Sequence, residues 1–191
     1  MRRIIRSIKV DLAMNIEQMA SGAKSASVVL GGVSGEVKNR ALAQICDALR
    51  NKTSQIVEAN RSDVERSERE KLAPALLKRL RFDEKKIETV CAGIESLIKL
   101  EDPVGRTLDA TELDDGLELF KVSCPIGVIG VIFESRPDAL VQISSLCLKS
   151  GNSVLLKGGS EAAATNRVLA DIIQEASESR GIPSGWLGLL E

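Results

Sequence analysis

The chain has 191 residues, 43% of them apolar, and 26 Lys plus Arg against 27 Asp plus Glu, a balance that fits a globular chain of one or two domains and offers no basic excess for a polyanion. With no Tyr, one Trp and three Phe it lacks the stacking surface of a nucleic-acid binder, and no apolar run nears the roughly 20 residues that span a bilayer. Its four cysteines form no Cys-x-x-Cys pair and it has no His, so no metal site is expected, and scattered thiols suit a reducing, cytoplasmic setting.

Residues 1–13 (MRRIIRSIKVDLA) interleave Ile with four basic residues and a single acid. Two readings stay open: an organellar targeting segment, or an extension upstream of a true start at Met14. Either way they are set apart from the fold. From 15 to 30, Ile16, Met19, Ala20, Ala23, Ala26 and Leu30 recur at helical spacing, with Asn15 as the expected N-cap. Gly31-Gly32-Val33-Ser34-Gly35 follows a helix rather than a strand, so it reads as a helix-helix loop and not as a phosphate cradle.

Ser34 is placed to cap a second helix whose inward face is Val37, Ala41, Leu42, Ile45, Cys46 and Leu49. A third, over 54–68, turns Ile56, Val57 and Val64 inward. The mixed charges of 63–71 then read as a solvated outer face carrying Arg61, Asp63, Glu65 and Arg66. Pro74 opens a short helix to Leu80, and 83–100 forms another with Ile87, Val90, Cys91, Ile94, Leu97 and Ile98 on one side. Cys46 and Cys147 fall on apolar faces, as small core residues do.

At Glu101-Asp-Pro-Val-Gly105 the texture changes. Two short strands, 106–113 and 117–123, flank Asp114-Asp115-Gly116, a strong hairpin signal. A lone hairpin is marginal in water, so it packs either on a partner subunit or back on its own domain.

The stretch 125–161, PIGVIGVIFESRPDALVQISSLCLKSGNSVLLKGGSE, organises the chain. It reads as an apolar strand, a turn at Glu134-Ser135-Arg136-Pro137, a helix over 138–149 and a second apolar strand over 153–156. A glycine turn then leads into a helix that Ser160 caps. Neither strand alternates, as expected of parallel strands covered on both faces, and the crossover is long enough for a helix. Ligands of such sheets sit outside the carboxyl ends of the strands, here the turns 134–137 and 157–160. The last helix, to about 179, should lay Ala164, Val168, Leu169, Ile172, Ile173 and Ala176 on the sheet, and Trp186 to Leu190 opens a third strand.

The Pro-x-Gly-Val at the head of the first strand resembles the nucleotide-binding domain of the aldehyde dehydrogenase superfamily. Phe133-Glu-Ser-Arg-Pro-Asp138 and Leu155-Leu-Lys-Gly-Gly159 narrow the resemblance to the glutamate-5-semialdehyde dehydrogenase (gamma-glutamyl phosphate reductase) family. The resemblance implies an α/β fold with a helical amino-terminal region, a β-hairpin and the first part of a Rossmann-like parallel sheet. The implied parts are 1–13 an extension or targeting segment, 14–104 helices of the nucleotide-binding domain, 105–124 an oligomerisation-type hairpin, and 125–191 an incomplete βαβα unit.

The family reaction so implied is NADPH-dependent reduction of L-glutamyl 5-phosphate to L-glutamate 5-semialdehyde in proline biosynthesis. Its partners would be that small substrate and, when complete, further copies of the same chain. The catalytic cysteine of the family is expected beyond residue 191, so no catalytic residue is expected here and the chain alone should be inactive. Cys124 precedes the first strand, on the side opposite the ligand edge, which argues against a nucleophilic role. By the family match Lys157 goes to the adenosine ribose or its 2′-phosphate, with Gly158 and Gly159 allowing close backbone approach. Ser135, Ser160 and Glu161 complete the cofactor set. Arg136 is either an anion contact, to a developing oxyanion or the acyl phosphate, or a salt-bridge partner of Glu134 or Asp138. Two other readings remain: a non-catalytic nucleotide-binding or oligomerising subunit, and a different aldehyde dehydrogenase. NADPH and NADH are not distinguished by the sequence.

Overall fold

A computed structural model describes residues 2–190, with side chains from Ile16 onward. Helix α1 (Arg2–Gly31) leads to α2 (Gly35–Asn51), α3 (Thr53–Arg69), α4 (Pro74–Leu80) and α5 (Glu84–Ile98). Strands β1 (Thr107–Asp114) and β2 (Leu117–Val122) make the hairpin; β3 (Val128–Ile132), α6 (Pro137–Lys149), β4 (Ser153–Lys157), α7 (Ala163–Glu178) and β5 (Leu187–Leu190) follow.

Capping sets several of these boundaries. Ser34 accepts from the Val37 amide and Asp83 from the Lys86 amide, and prolines open α4 and α6, where the missing N–H costs nothing. The expected N-cap at Asn15 is overturned, because the helical backbone already runs from Arg2. The side chains of 1–13, on which the targeting and extension readings rest, lie outside the described residues. Ala23, Ala26 and Leu30 are buried as expected, whereas Ile16 and Ala20 are exposed.

The sheet has the order β3-β4-β5, and both pairs are parallel. Two consecutive crossovers of one hand place α6 and α7 on one face, where α6 meets β4 and α7 meets β5, while α1 crosses all three strands from the other side. Leu140, Val141, Leu148, Val154, Leu156, Leu169, Ile173 and Trp186 join the inward faces of α2 and α5 in one core. The sheet thus reaches a third strand. β3, however, is not covered on both faces: Gly130 is exposed and Ile132 is 88% exposed, since β3 is the edge.

The hairpin has the expected Asp-Gly turn, with Gly116 at φ 74°. Every residue of both strands is exposed, so it does not lie back on its own domain.

Asp63 corrects the reading of α3. It is completely buried, together with Asn60 and Ser67, because the polar stripe of α3 faces α7 instead of water. Its carboxylate accepts from the Thr165 amide at 2.8 Å and the Thr165 hydroxyl at 2.7 Å. The start of α7 is therefore capped by another helix. Ser160 instead opens a short 3-10 turn (Ser160–Ala162) and makes no side-chain cap.

Candidate functional site

Lys157 is the last residue of the central strand, paired with Ile132 on one side and Leu190 on the other, so the carboxyl ends of all three strands share one edge. The chain leaves that edge through Gly158 and Gly159 into the 3-10 turn and α7. A cleft of about 370 Å³ opens there, lined by Lys157, Gly158, Gly159, Ser160, Asn166 and the β5 end Leu189–Leu190 among others. A second hollow of about 280 Å³ lies across the turn, between Arg79, Glu134, Ser135, Gly159 and Glu161.

Of the expected residues, Lys157, Gly158, Gly159 and Ser160 thus share one cleft. Ser135 and Glu161 face its neighbour, with Gly159 between. Gly159 has an ordinary extended backbone (φ -65°, ψ 148°), so steric room, not conformation, requires glycine. A Cβ there would lie 2.6 Å from the Glu161 carboxylate and into the Ser135 hydroxyl. At Gly158 a Cβ would meet the Asn166 amide and, at 3.1 Å, the Phe133 ring. Both glycines let the turn pack against the chain's own side chains.

That turn is held from behind. Arg66 bonds Asp63 at 2.8 Å and donates to the Ser160 and Glu161 carbonyls, each at 3.0 Å. The Ser135 hydroxyl donates to Glu161. This bond, the residue's own backbone N–H and the nearby Arg66 charge hold the Glu161 carboxyl below its usual range.

Arg136 lines neither hollow among the described residues. Its guanidinium pairs with Asp138 at 2.8 Å, which raises its already high pKa, while Glu134 pairs with Arg79 at 2.7 Å. The Asp138 pairing expected as one alternative is present; the guanidinium remains about half exposed. Cys46, Cys91 and Cys147 are buried and Cys124 is exposed. Burial pushes the Cys147 thiol up to about 11. Among the described residues no helix is long and apolar enough to cross a membrane, and no group of three or more His, Cys, Asp or Glu converges on a metal position.

Sequence reasoning missed Asn166 altogether. It lines the larger cleft yet is only 2% exposed, and its fully buried amide oxygen has no hydrogen-bond partner among the described residues. The available signal was its place four residues before Ala170 and seven before Ile173, on the inward stripe of α7.

A parallel sheet flanked by helices, preceded by a free-standing hairpin, with its cleft at the carboxyl edge, is the amino-terminal architecture of the aldehyde dehydrogenase fold. The same fold recurs in a probable aldehyde dehydrogenase from Listeria monocytogenes, with TM-score 0.72 at 14% identity over 95% of this chain and 37% of that one. Within that class the chain has the sequence and fold of an amino-terminal portion of gamma-glutamyl phosphate reductase. It is 64% identical over 178 residues to the enzyme of that name from Ruminiclostridium cellulolyticum, matching 93% of this chain and 41% of the relative. The gamma-glutamyl phosphate reductase structure from Thermotoga maritima superimposes with TM-score 0.89 at 37% identity, over 91% of this chain and 42% of that one. The chain thus spans about two-fifths of the length of the curated relatives it matches. No family model matches it.

Proposed function

We propose that these residues form the nucleotide-holding part of an NADPH-dependent gamma-glutamyl phosphate reductase, an oxidoreductase that converts L-glutamyl 5-phosphate to L-glutamate 5-semialdehyde and phosphate in proline biosynthesis. The observation that carries this reading is the cleft at the carboxyl ends of β4 and β5, with a lysine at its mouth and a glycine turn along its side. The residues present suit the adenosine end of a dinucleotide in a Rossmann-like half-fold. Lys157 supplies a cation for the ribose or 2′-phosphate, and Leu189 and Leu190 supply apolar wall. The nicotinamide nucleotide, when bound, supplies the hydride.

The acyl-accepting thiolate would come from residues outside this segment. Three of the four cysteines are buried, and Cys124 precedes β3 at the amino edge of the sheet, away from Lys157. The 191 residues by themselves would accordingly bind nucleotide without turnover. The fully exposed hairpin, with Leu108, Leu117, Leu119 and Phe120 each more than half exposed, supports association into a homo-oligomer. Four free thiols suit a cytoplasmic setting.

The test is titration of this chain with NADPH and NADH, before and after Lys157→Ala. Loss of a charged hydrogen bond to the 2′-phosphate should weaken NADPH about tenfold or more and NADH less. If the chain binds neither dinucleotide, the reading fails.

A further inference from the structure

Two of the buried cysteines lie together, away from the cleft. Cys46 on α2 and Cys91 on α5 meet in the core at 3% and 0% exposure. Their contact is reciprocal: the Cys46 thiol donates to the Cys91 carbonyl at 3.7 Å, and the Cys91 thiol donates to the Cys46 carbonyl at 3.8 Å. Each sulfur thus reaches the other residue's main chain, and two helices joined through cysteine side chains must approach this closely. Cys147, by contrast, is perturbed by burial alone.

The surroundings make the two thiols unequal. A side-chain hydrogen bond between them pushes Cys46 up and brings Cys91 down, and the Arg50 charge lowers both. Arg50 stands one helical turn beyond Cys46 and pairs with Glu88 at 3.1 Å and Glu95 at 2.9 Å, the residues three before and four after Cys91. This ion pair clasps α2 to α5 beside the thiols and keeps a cation near the sulfur that ionises more readily.

We propose that Cys46 and Cys91 are a redox-sensitive pair, which a small hydroperoxide converts to a disulfide between α2 and α5. The Cys91 sulfur attacks one peroxide oxygen, the O–O bond breaks, and a sulfenic acid forms with release of an alcohol, or of water from hydrogen peroxide. The Cys46 sulfur then attacks the sulfenic sulfur; the S–S bond forms and the sulfenic oxygen leaves as water, carrying the Cys46 proton. Each sulfur gives up one electron and the peroxide takes both. The link closes the chain between residues 46 and 91, which contains α3 and with it Asp63 and Arg66, the residues that hold the turn after β4.

The test uses the full chain with Cys124→Ser, which removes the exposed thiol and leaves the three buried ones. The folded chain is exposed to hydrogen peroxide, its free thiols are counted in denaturant without reductant, and its peptides are mapped by mass. The expected result is a fall from three free thiols to one, a mass loss of about 2 Da and a linked Cys46–Cys91 peptide, all reversed by dithiothreitol. Tm should rise by about 5–10 °C, as a cross-link closing a loop of this length implies. Three thiols that persist, or a link that involves Cys147, overturn the proposal. A sulfinic or sulfonic Cys91 beside a free Cys46 does so too, because the second thiol is then out of reach. A link that forms with a fall in Tm shows that the native packing must give way to make it, and overturns the pairing equally. In Cys46→Ser, Cys91 should stop at the sulfenic acid, where dimedone traps it; absence of that adduct overturns the assignment of Cys91 as the attacking sulfur.

Discussion

Replacing Asp63 with alanine is expected to destabilise the fold by about 2–4 kcal/mol, far more than a charged residue of a surface helix would. The carboxylate is fully buried and accepts from the Thr165 amide (2.8 Å), the Thr165 hydroxyl (2.7 Å) and Arg66 (2.8 Å). Thr165 is itself completely buried, so alanine leaves its amide without a partner and without water. An orphaned buried donor costs about 1–3 kcal/mol and a lost helix cap about 1 kcal/mol more. Arg66 meanwhile loses the anion that holds it beside the Ser160 and Glu161 carbonyls. For a chain of this size the loss corresponds to a fall in Tm of about 10 °C. Urea unfolding followed by circular dichroism measures it, with the exposed neighbour Glu65→Ala as the control, expected within about 0.5 kcal/mol of the unmodified chain. An Asp63→Ala loss as small as that of the control would refute the cross-helix cap and return Asp63 to a solvated face.

In a full-length gamma-glutamyl phosphate reductase carrying this segment, Arg136→Ala should lower kcat about a hundredfold while nucleotide affinity changes little. Equal loss of both would leave Arg136 only its Asp138 pairing. The depressed Glu161 carboxyl stabilises the fold above its unfolded-state pKa, and that contribution fades as pH falls through the lower folded value. Ser135→Ala removes the largest cause, so the Glu161 midpoint followed by carboxyl NMR should move up and the Glu161 contribution to stability above its unfolded-state pKa should shrink; an unmoved midpoint contradicts the assignment. A thiol reagent should label Cys124 rapidly in the native chain and all four cysteines after unfolding. Fast native labelling of Cys147, buried with its thiol pushed up to about 11, would show the core of α6 to be open.

The βαβ core was legible because its determinants are local. Apolar runs of strand length, Pro137 at the head of α6 and the breaks at Gly151 and Gly158 all speak through near neighbours, and β3, α6 and β4 lie where those signals put them. The hairpin was legible for the same reason, its Asp-Gly turn fixing the register of the two strands. Asp63 was not, because the groups it caps lie 102 residues away and its own neighbours Arg61, Glu65 and Arg66 spell a charged surface. Spacing alone held a hint: Ile56, Asn60, Asp63 and Ser67 form one continuous helical stripe, and a polar stripe that extends an apolar one belongs with it inside. The glycine pair was read for what it admits, whereas Ser135, Glu161, Phe133 and Asn166 already occupy the space that side chains there would need.

These contacts make the cleft a product of the helical region as much as of the sheet. The turn after β4 is held by the Arg66 guanidinium on two of its carbonyls, by Asp63 on the first amides of α7, and by Ser135 on Glu161. Two of those three supports come from α3, which precedes the hairpin and the first sheet strand in the chain. Lys157 and Asn166, on either side of the turn, keep their spacing only while α3 stays docked on α7. The cap and the cleft proposed to hold nucleotide therefore form one mechanical unit: Asp63→Ala should weaken adenine nucleotides along with the fold even at temperatures where the chain remains native, and Glu65→Ala should affect neither. An Asp63→Ala chain that is destabilised yet binds AMP with undiminished affinity would separate the two, and the turn would then owe its shape to the glycines and the sheet alone.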